Sequence, residues 1–151
     1  MGMGRRYSVS QTDTNTAGTT MLGITATAAV RPRIYDLLMS SAAAVADNGV
    51  LYTLGRHTLP GTNTAWTPVE LDPGDPASST TSGYNHSVEP TYTANKEVLR
   101  ICHNQRATVR FPVAPDGEIV APATANNGIS LLASSVGNSA FADQFTLKFC
   151  E

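Results

Sequence analysis

The stretch that decides the fold is Phe141-Ala142-Asp143-Gln144-Phe145-Thr146-Leu147-Lys148-Phe149-Cys150. Phe141, Phe145, Leu147 and Phe149 fall at alternate positions, with Gln144, Thr146 and Lys148 between them. Successive side chains of an extended chain point to opposite faces, so this run has one apolar side and one polar side. A strand of that kind belongs to an antiparallel sheet that buries one face and shows the other to water.

The same alternation recurs upstream. In Leu22–Val30, residues Leu22, Ile24, Ala26, Ala28 and Val30 share a face opposite Thr25 and Thr27. Tyr7 and Val9 pair within Arg6–Gln11, and Val50, Tyr52 and Leu54 within Val50–Thr58. Leu99 and Ile101 pair within Glu97–His103, and Ala107, Val109 and Phe111 within Arg106–Val113. Arg33–Met39 is apolar on both faces and reads as a central strand. Trp66–Leu71, Glu118–Ala121 and Ile129–Ala133 are shorter runs. Turn formers punctuate the series at Asp47-Asn48-Gly49, Leu59-Pro60-Gly61, Pro115-Asp116-Gly117 and Asn126-Asn127-Gly128. Residues Asp72 to Gly83 read as a long surface loop, in which Asp72-Pro73-Gly74-Asp75 is a Pro-fixed turn capped by Asp side chains. Leu38–Ala46 is the one helical candidate. Its apolar residues do not keep a 3.6 period, so a loop with at most one helical turn is expected. The pattern predicts an all-β antiparallel sandwich, jelly-roll-like, with about eight to nine strands and little helix. Residues 1–20 read as an N-terminal arm with a candidate edge strand, and 21–151 as a single β-sandwich domain.

A chain of 151 residues fits one domain with a sizeable core. A net charge of -2 and the lack of a basic stripe argue against a nucleic-acid partner. No apolar run reaches the length of a membrane span. Two cysteines, Cys102 and Cys150, make no disulfide framework. Arg5 and Arg6 have no apolar run behind them, so no signal peptide is visible and a soluble protein made in a reducing cytoplasm is expected.

Catalytic signatures are missing as well. His57, His86 and His103 lack metal-ligand spacing and each is expected as a surface or edge polar residue. Cys102 and His103 are adjacent on a strand, and adjacent side chains face apart. No nucleophile elbow, phosphate loop, dinucleotide fingerprint or outstanding pair of acids occurs. Asn85-His86-Ser87 matches a glycosylation acceptor, which with no secretory signal visible is read as a chance match. The expectation is a protein that is not an enzyme and takes no metal or cofactor.

The chain holds eight arginines and two lysines. The planar guanidinium suits protein interfaces, although a GC-rich codon bias also replaces Lys with Arg. The candidate interface residues are Arg5, Arg6, Tyr7, Arg31, Arg33, Arg106 and Arg110. Pro32 removes a ladder donor and marks an edge or bulge, leaving Arg31 and Arg33 on one side as an interface pair or a solvated rim.

Several motifs together resemble one family: Arg31-Pro-Arg-Ile-Tyr35, Ala46-Asp-Asn48, Leu71-Asp-Pro-Gly-Asp-Pro76, Asn85-His-Ser-Val-Glu-Pro-Thr91, Asn104-Gln-Arg106 and Pro115-Asp-Gly-Glu118. From about Tyr7 to Phe149 the chain resembles the head decoration (cement) proteins of tailed bacteriophages and closely allied virion proteins. That resemblance implies a sandwich or jelly roll and a symmetric oligomer, often a homotrimer. Its partner would be the major capsid protein, and its place the virion surface after synthesis in the host cytoplasm. It assigns no contact residues one by one. The competing expectation is a carbohydrate-binding β-sandwich module of a phage fibre or other virion component, with Trp66, Tyr84 and Tyr92 as aromatic platforms.

Overall fold

The computed structural model describes residues 4–137 and 141–151. Among these described residues twelve strands follow one another: β1 Arg6–Asn15, β2 Thr19–Thr25, β3 Arg33–Ala43, β4 Gly49–Leu59, β5 Thr62–Trp66, β6 Val69–Glu70, β7 Thr81–Val88, β8 Thr91–Asn104, β9 Val109–Pro112, β10 Ile119–Val120, β11 Gly128–Val136 and β12 Phe141–Cys150. All pairings are antiparallel. The first sheet runs β10-β3-β12-β1-β6, with β9 also on β3, and the second runs β5-β7-β2-β11-β4-β8. With β5, β6, β7 and β10 set aside, the layers read β1-β12-β3-β9 and β2-β11-β4-β8. Apart from β4 and β8, which share a layer, consecutive strands then alternate between layers in the double Greek-key order of a jelly roll. The excess over eight or nine strands comes from the segment between β4 and β8, where Thr81–Val88 lacks strong alternation and the run Trp66–Leu71 divides between β5 and β6.

The core lies between the layers. Phe141, Phe145, Leu147 and Phe149 are all buried there, as the opening pattern predicts. Across the gap they meet Tyr52 and its neighbours Val50 and Leu54 on β4, and Tyr52 packs edge-on to Phe145 with ring centroids 5.5 Å apart. β3 is central, flanked by β12 and by β9 with β10. It runs to Ala43, and no helix occurs among the described residues; Ser40 and Ser41 find ladder partners in Gln144 and Asp143. The loop expected over Leu38–Ala46 is therefore strand as far as Ala43, ending where Ala44 takes φ 58°. β2 is shorter than the sequence pattern suggests: Leu22, Ile24 and Ala26 are buried, but Ala28 is exposed. Residues 6–15 do not project as an arm. They pair with β12 over all ten positions, and β6 covers part of their other edge.

The second sheet has an unusual curl. Only Pro60 and Gly61 separate β4 from β5, and only Glu89 and Pro90 separate β7 from β8. Yet β4 and β8 lie at one side of that sheet and β5 and β7 at the other. The far ends of β4 and β8 must therefore fold back across the sheet's outer face. Register shifts between Leu54, Gly55, His57 and Leu59 supply the bend. A second buried compartment results, and it is polar. His57 is 2% exposed, its Nδ1 pairing with Ser130 Oγ at 2.8 Å. Tyr92 OH meets Thr20 Oγ1 at 2.7 Å, and Glu89 accepts from the Thr20 N–H at 2.9 Å. The expectation that every histidine is a surface or edge residue fails at His57, because its strand end is covered by this fold-back.

Candidate interaction surfaces

Four of the candidate residues meet at one end of the first sheet. Ladder register places Arg6 opposite Cys150 and Cys150 opposite Arg33, so the two arginines sit in one row across β12, roughly 10 Å apart at two strand spacings. Both are exposed, whereas their chain neighbours Tyr7, Phe149 and Ile34 face the core. Arg5 and Arg31, also exposed, flank the row at the starts of β1 and β3. Burial raises the pKa of the Cys150 thiol while Arg33 pulls it down, and both cysteines are free.

The remaining candidates behave differently. Tyr7 is wholly buried, stacked on Phe149 at 5.6 Å with its hydroxyl donating to the Pro76 carbonyl, so it is a core residue and not a contact on the surface. Its place in the alternation with Val9 already puts it on the inner face. Arg110 makes a two-pronged bond to Asp36, both contacts 2.9 Å, and Lys148 adds a third charge at 3.5 Å. The Arg110 hydrogen bond holds the Asp36 carboxyl below its ordinary range despite its burial. Arg106 is exposed in the connection from β8 to β9, next to the far end of β3, where the neighbouring Gln105 carbonyl accepts from Ser41. It stands apart from the Arg6–Arg33 row.

Sequence reasoning missed the apolar members of this surface. Val69 is 57% exposed and Leu71 45%. Val69 pairs with Ser8, and the Leu71 N–H donates to the Arg6 carbonyl, so both adjoin the arginine row. The run Trp66–Leu71 is split by Thr67 and Pro68 into the end of β5 and a two-residue β6. The Pro-bounded shortness of that run was the available signal. Glu151 anchors the following loop through Ser78 Oγ at 2.6 Å and the Thr80 N–H at 2.8 Å. The Asp72 turn forms as predicted, with Asp72 Oδ1 accepting from the Gly74 N–H at 2.9 Å.

A second surface feature is a cleft of about 430 Å³ where β7 parts from β2. The β2–β7 ladder stops at Gly23 and Gly83, and two residues on, Asn85 adopts φ 49°. Side chains replace the missing ladder. Asp13 Oδ2 accepts from the Asn85 N–H at 2.8 Å, and His86 Nδ1 donates to the Thr20 carbonyl at 3.0 Å. On the opposite wall the free edge of β1 is capped by its own chain: the Thr12 and Thr14 N–H groups donate to Gln11 and Asp13. Of the three aromatic candidates, Trp66 and Tyr84 meet edge-on at 6.1 Å, and Tyr84 lines the cleft. Tyr92 is half-buried, with its hydroxyl in the polar compartment, and burial drives its pKa upward.

Among the described residues no group of three or more His, Cys, Asp or Glu is placed to hold a metal ion, and no helix is long and apolar enough to cross a membrane. The fold defines the class: a jelly-roll β-sandwich with an inserted strand excursion. No protein family, curated protein or solved structure matches the chain.

Proposed function

We propose that this chain is a structural virion protein: a decoration (cement) protein that sits between major capsid protein subunits on a tailed-phage head and stabilises it. It acts as a homotrimer on the capsid surface and performs no catalysis. Neither nucleic acid nor membrane is its partner. The observation that carries the reading is the row Arg6–Cys150–Arg33 beside exposed Val69 and Leu71. Guanidinium groups next to exposed aliphatic side chains are the mixture expected of a protein-binding surface, where apolar contact supplies affinity and arginine supplies fixed geometry. The resemblance in the Arg31–Tyr35, Leu71–Pro76 and Asn85–Thr91 motifs points the same way. Modest individual contacts suffice, since many symmetric copies on one head add as avidity.

The test uses heads assembled from the cognate major capsid protein. The purified chain is expected at a multiple of 15.9 kDa by native mass measurement, and it should raise the temperature at which heads rupture. The double variant Val69→Asp/Leu71→Asp changes only exposed positions. It should fold normally yet attach at least about tenfold more weakly. A wild-type chain that stays strictly monomeric and ignores heads would overturn the reading.

A further inference from the structure

We propose that the cleft between β1, β2 and β7 binds a neutral pyranose sugar unit of a polysaccharide. The inference is independent of the decoration role, because it uses the divergence of β7 from β2 and not the arginine row. Its volume, about 430 Å³, falls in the range of about 300–1,000 Å³ typical of small-ligand sites.

The chemistry of the walls selects the ligand. Thr12 and Thr14 on one side and Asn85 on the other are exposed. Hydroxyls and a carboxamide can each donate and accept, as vicinal sugar hydroxyls require. Asp13 bridges the walls with one backbone N–H on each oxygen. A second lone pair on each oxygen remains to accept from a sugar hydroxyl. Tyr84, held edge-on by Trp66, offers an aromatic surface to the C–H face of the ring.

Other ligands fit less well. Among the described residues no lysine or arginine lines the cleft, so phosphate, sulfate or a sialic acid would meet Asp13 with nothing there to offset its charge. His86 supplies no cation, because its Nδ1 donates to the Thr20 carbonyl, Asn63 donates to its Nε2, and burial lowers its pKa. The large apolar residues of the lining are Met21, which is buried, and Tyr84, too little for a lipid chain.

Purified protein, without heads, is applied to an array with three arms: neutral hexose oligosaccharides, neutral bacterial envelope polysaccharides, and acidic glycans. Binding is expected in one or both neutral arms, and which arm responds identifies the source of the sugar. The double variant Thr12→Val/Thr14→Val keeps β-branched side chains on a strand and removes two hydroxyls. Asn85→Gly keeps the left-handed backbone and removes the carboxamide. Each should weaken binding about tenfold with unchanged thermal unfolding. Preference for the acidic arm, no binding in any arm, or binding that survives both variants within about twofold would each overturn the proposal.

Discussion

The molecule has two buried compartments built on opposite principles, and they share the second sheet. Between the layers, Phe141, Phe145, Leu147 and Phe149 make an apolar filling held by packing. On the far side of that sheet, under the folded-back ends of β4 and β8, His57, Ser130, Thr20, Glu89 and Tyr92 make a filling held by hydrogen bonds. The first is tolerant of chemistry but sensitive to volume. The second is intolerant of an unmatched donor or an added charge. One sheet can serve both because glycines on its outer face admit the polar side chains close to the backbone, as Gly55 does beneath the Tyr92 ring.

The largest effect should come from emptying the apolar side. Phe145→Ala removes a wholly buried ring from the middle of β12 and the edge-on partner of Tyr52. A loss of about 3–5 kcal/mol is expected, read as an earlier midpoint in chemical denaturation. A loss below about 1 kcal/mol would mean that this layer is not the principal core.

That compartment was legible in the sequence because period-two alternation is a direct trace of one buried face. Phe141 to Phe149, Tyr7 with Val9, and Val50 with Tyr52 and Leu54 all went where their spacing sent them. Asp143 shows the limit of the method. It shares the buried face, and its carboxylate accepts from Asn15 and Tyr52, while burial pushes its pKa up to about 6. The alternation gives its side of the strand but not its three-way polar contact, which joins β1, β4 and β12 across large sequence separations. The polar compartment was illegible for the same reason. Its members are polar residues scattered from Thr20 to Ser130, brought together by a bend that bulges create. Within the proposed interface, the Arg6–Arg33 row was picked out by residue type, whereas Val69 and Leu71 look like core residues until the topology leaves them outside.

Closing the glycine gap should break the polar side by steric force. A Cβ on Gly128 would lie 2.0 Å from the Ile24 carbonyl oxygen and 2.5 Å from the His57 ring. The backbone oxygen cannot swing away, so Gly128→Ala should cost about 1–3 kcal/mol through overpacking. A cross-check is the His57 ring itself, whose NMR resonances should shift in this variant. An unperturbed stability together with an unperturbed His57 signal would show that β11 and the β4 end are not in contact as described.

Acid should sharpen the comparison further, with a smaller effect. Burial, with the neighbouring His86 second, lowers the pKa of His57 to about 4, against an ordinary value near 6.5 in the unfolded chain. Between those values the unfolded chain binds the proton and the folded chain does not. Stability from this site is therefore complete above about pH 6.5 and is lost as pH falls toward 4, by about 1–2 kcal/mol at pH 5.5. Asp143 has the opposite sign: its folded pKa lies above its unfolded one, so acid favours its folded form over the same range. The two compartments thus partly cancel in a bulk pH–stability curve, and a flat curve alone tests neither. Residue-resolved titration separates them. The His57 ring signal should stay constant from pH 8 down to about 5, and His57→Gln should steepen the stabilising effect of acid that Asp143 contributes. A His57 midpoint near 6.5 would mean that water reaches the ring and that the folded-back strand ends do not seal a second compartment.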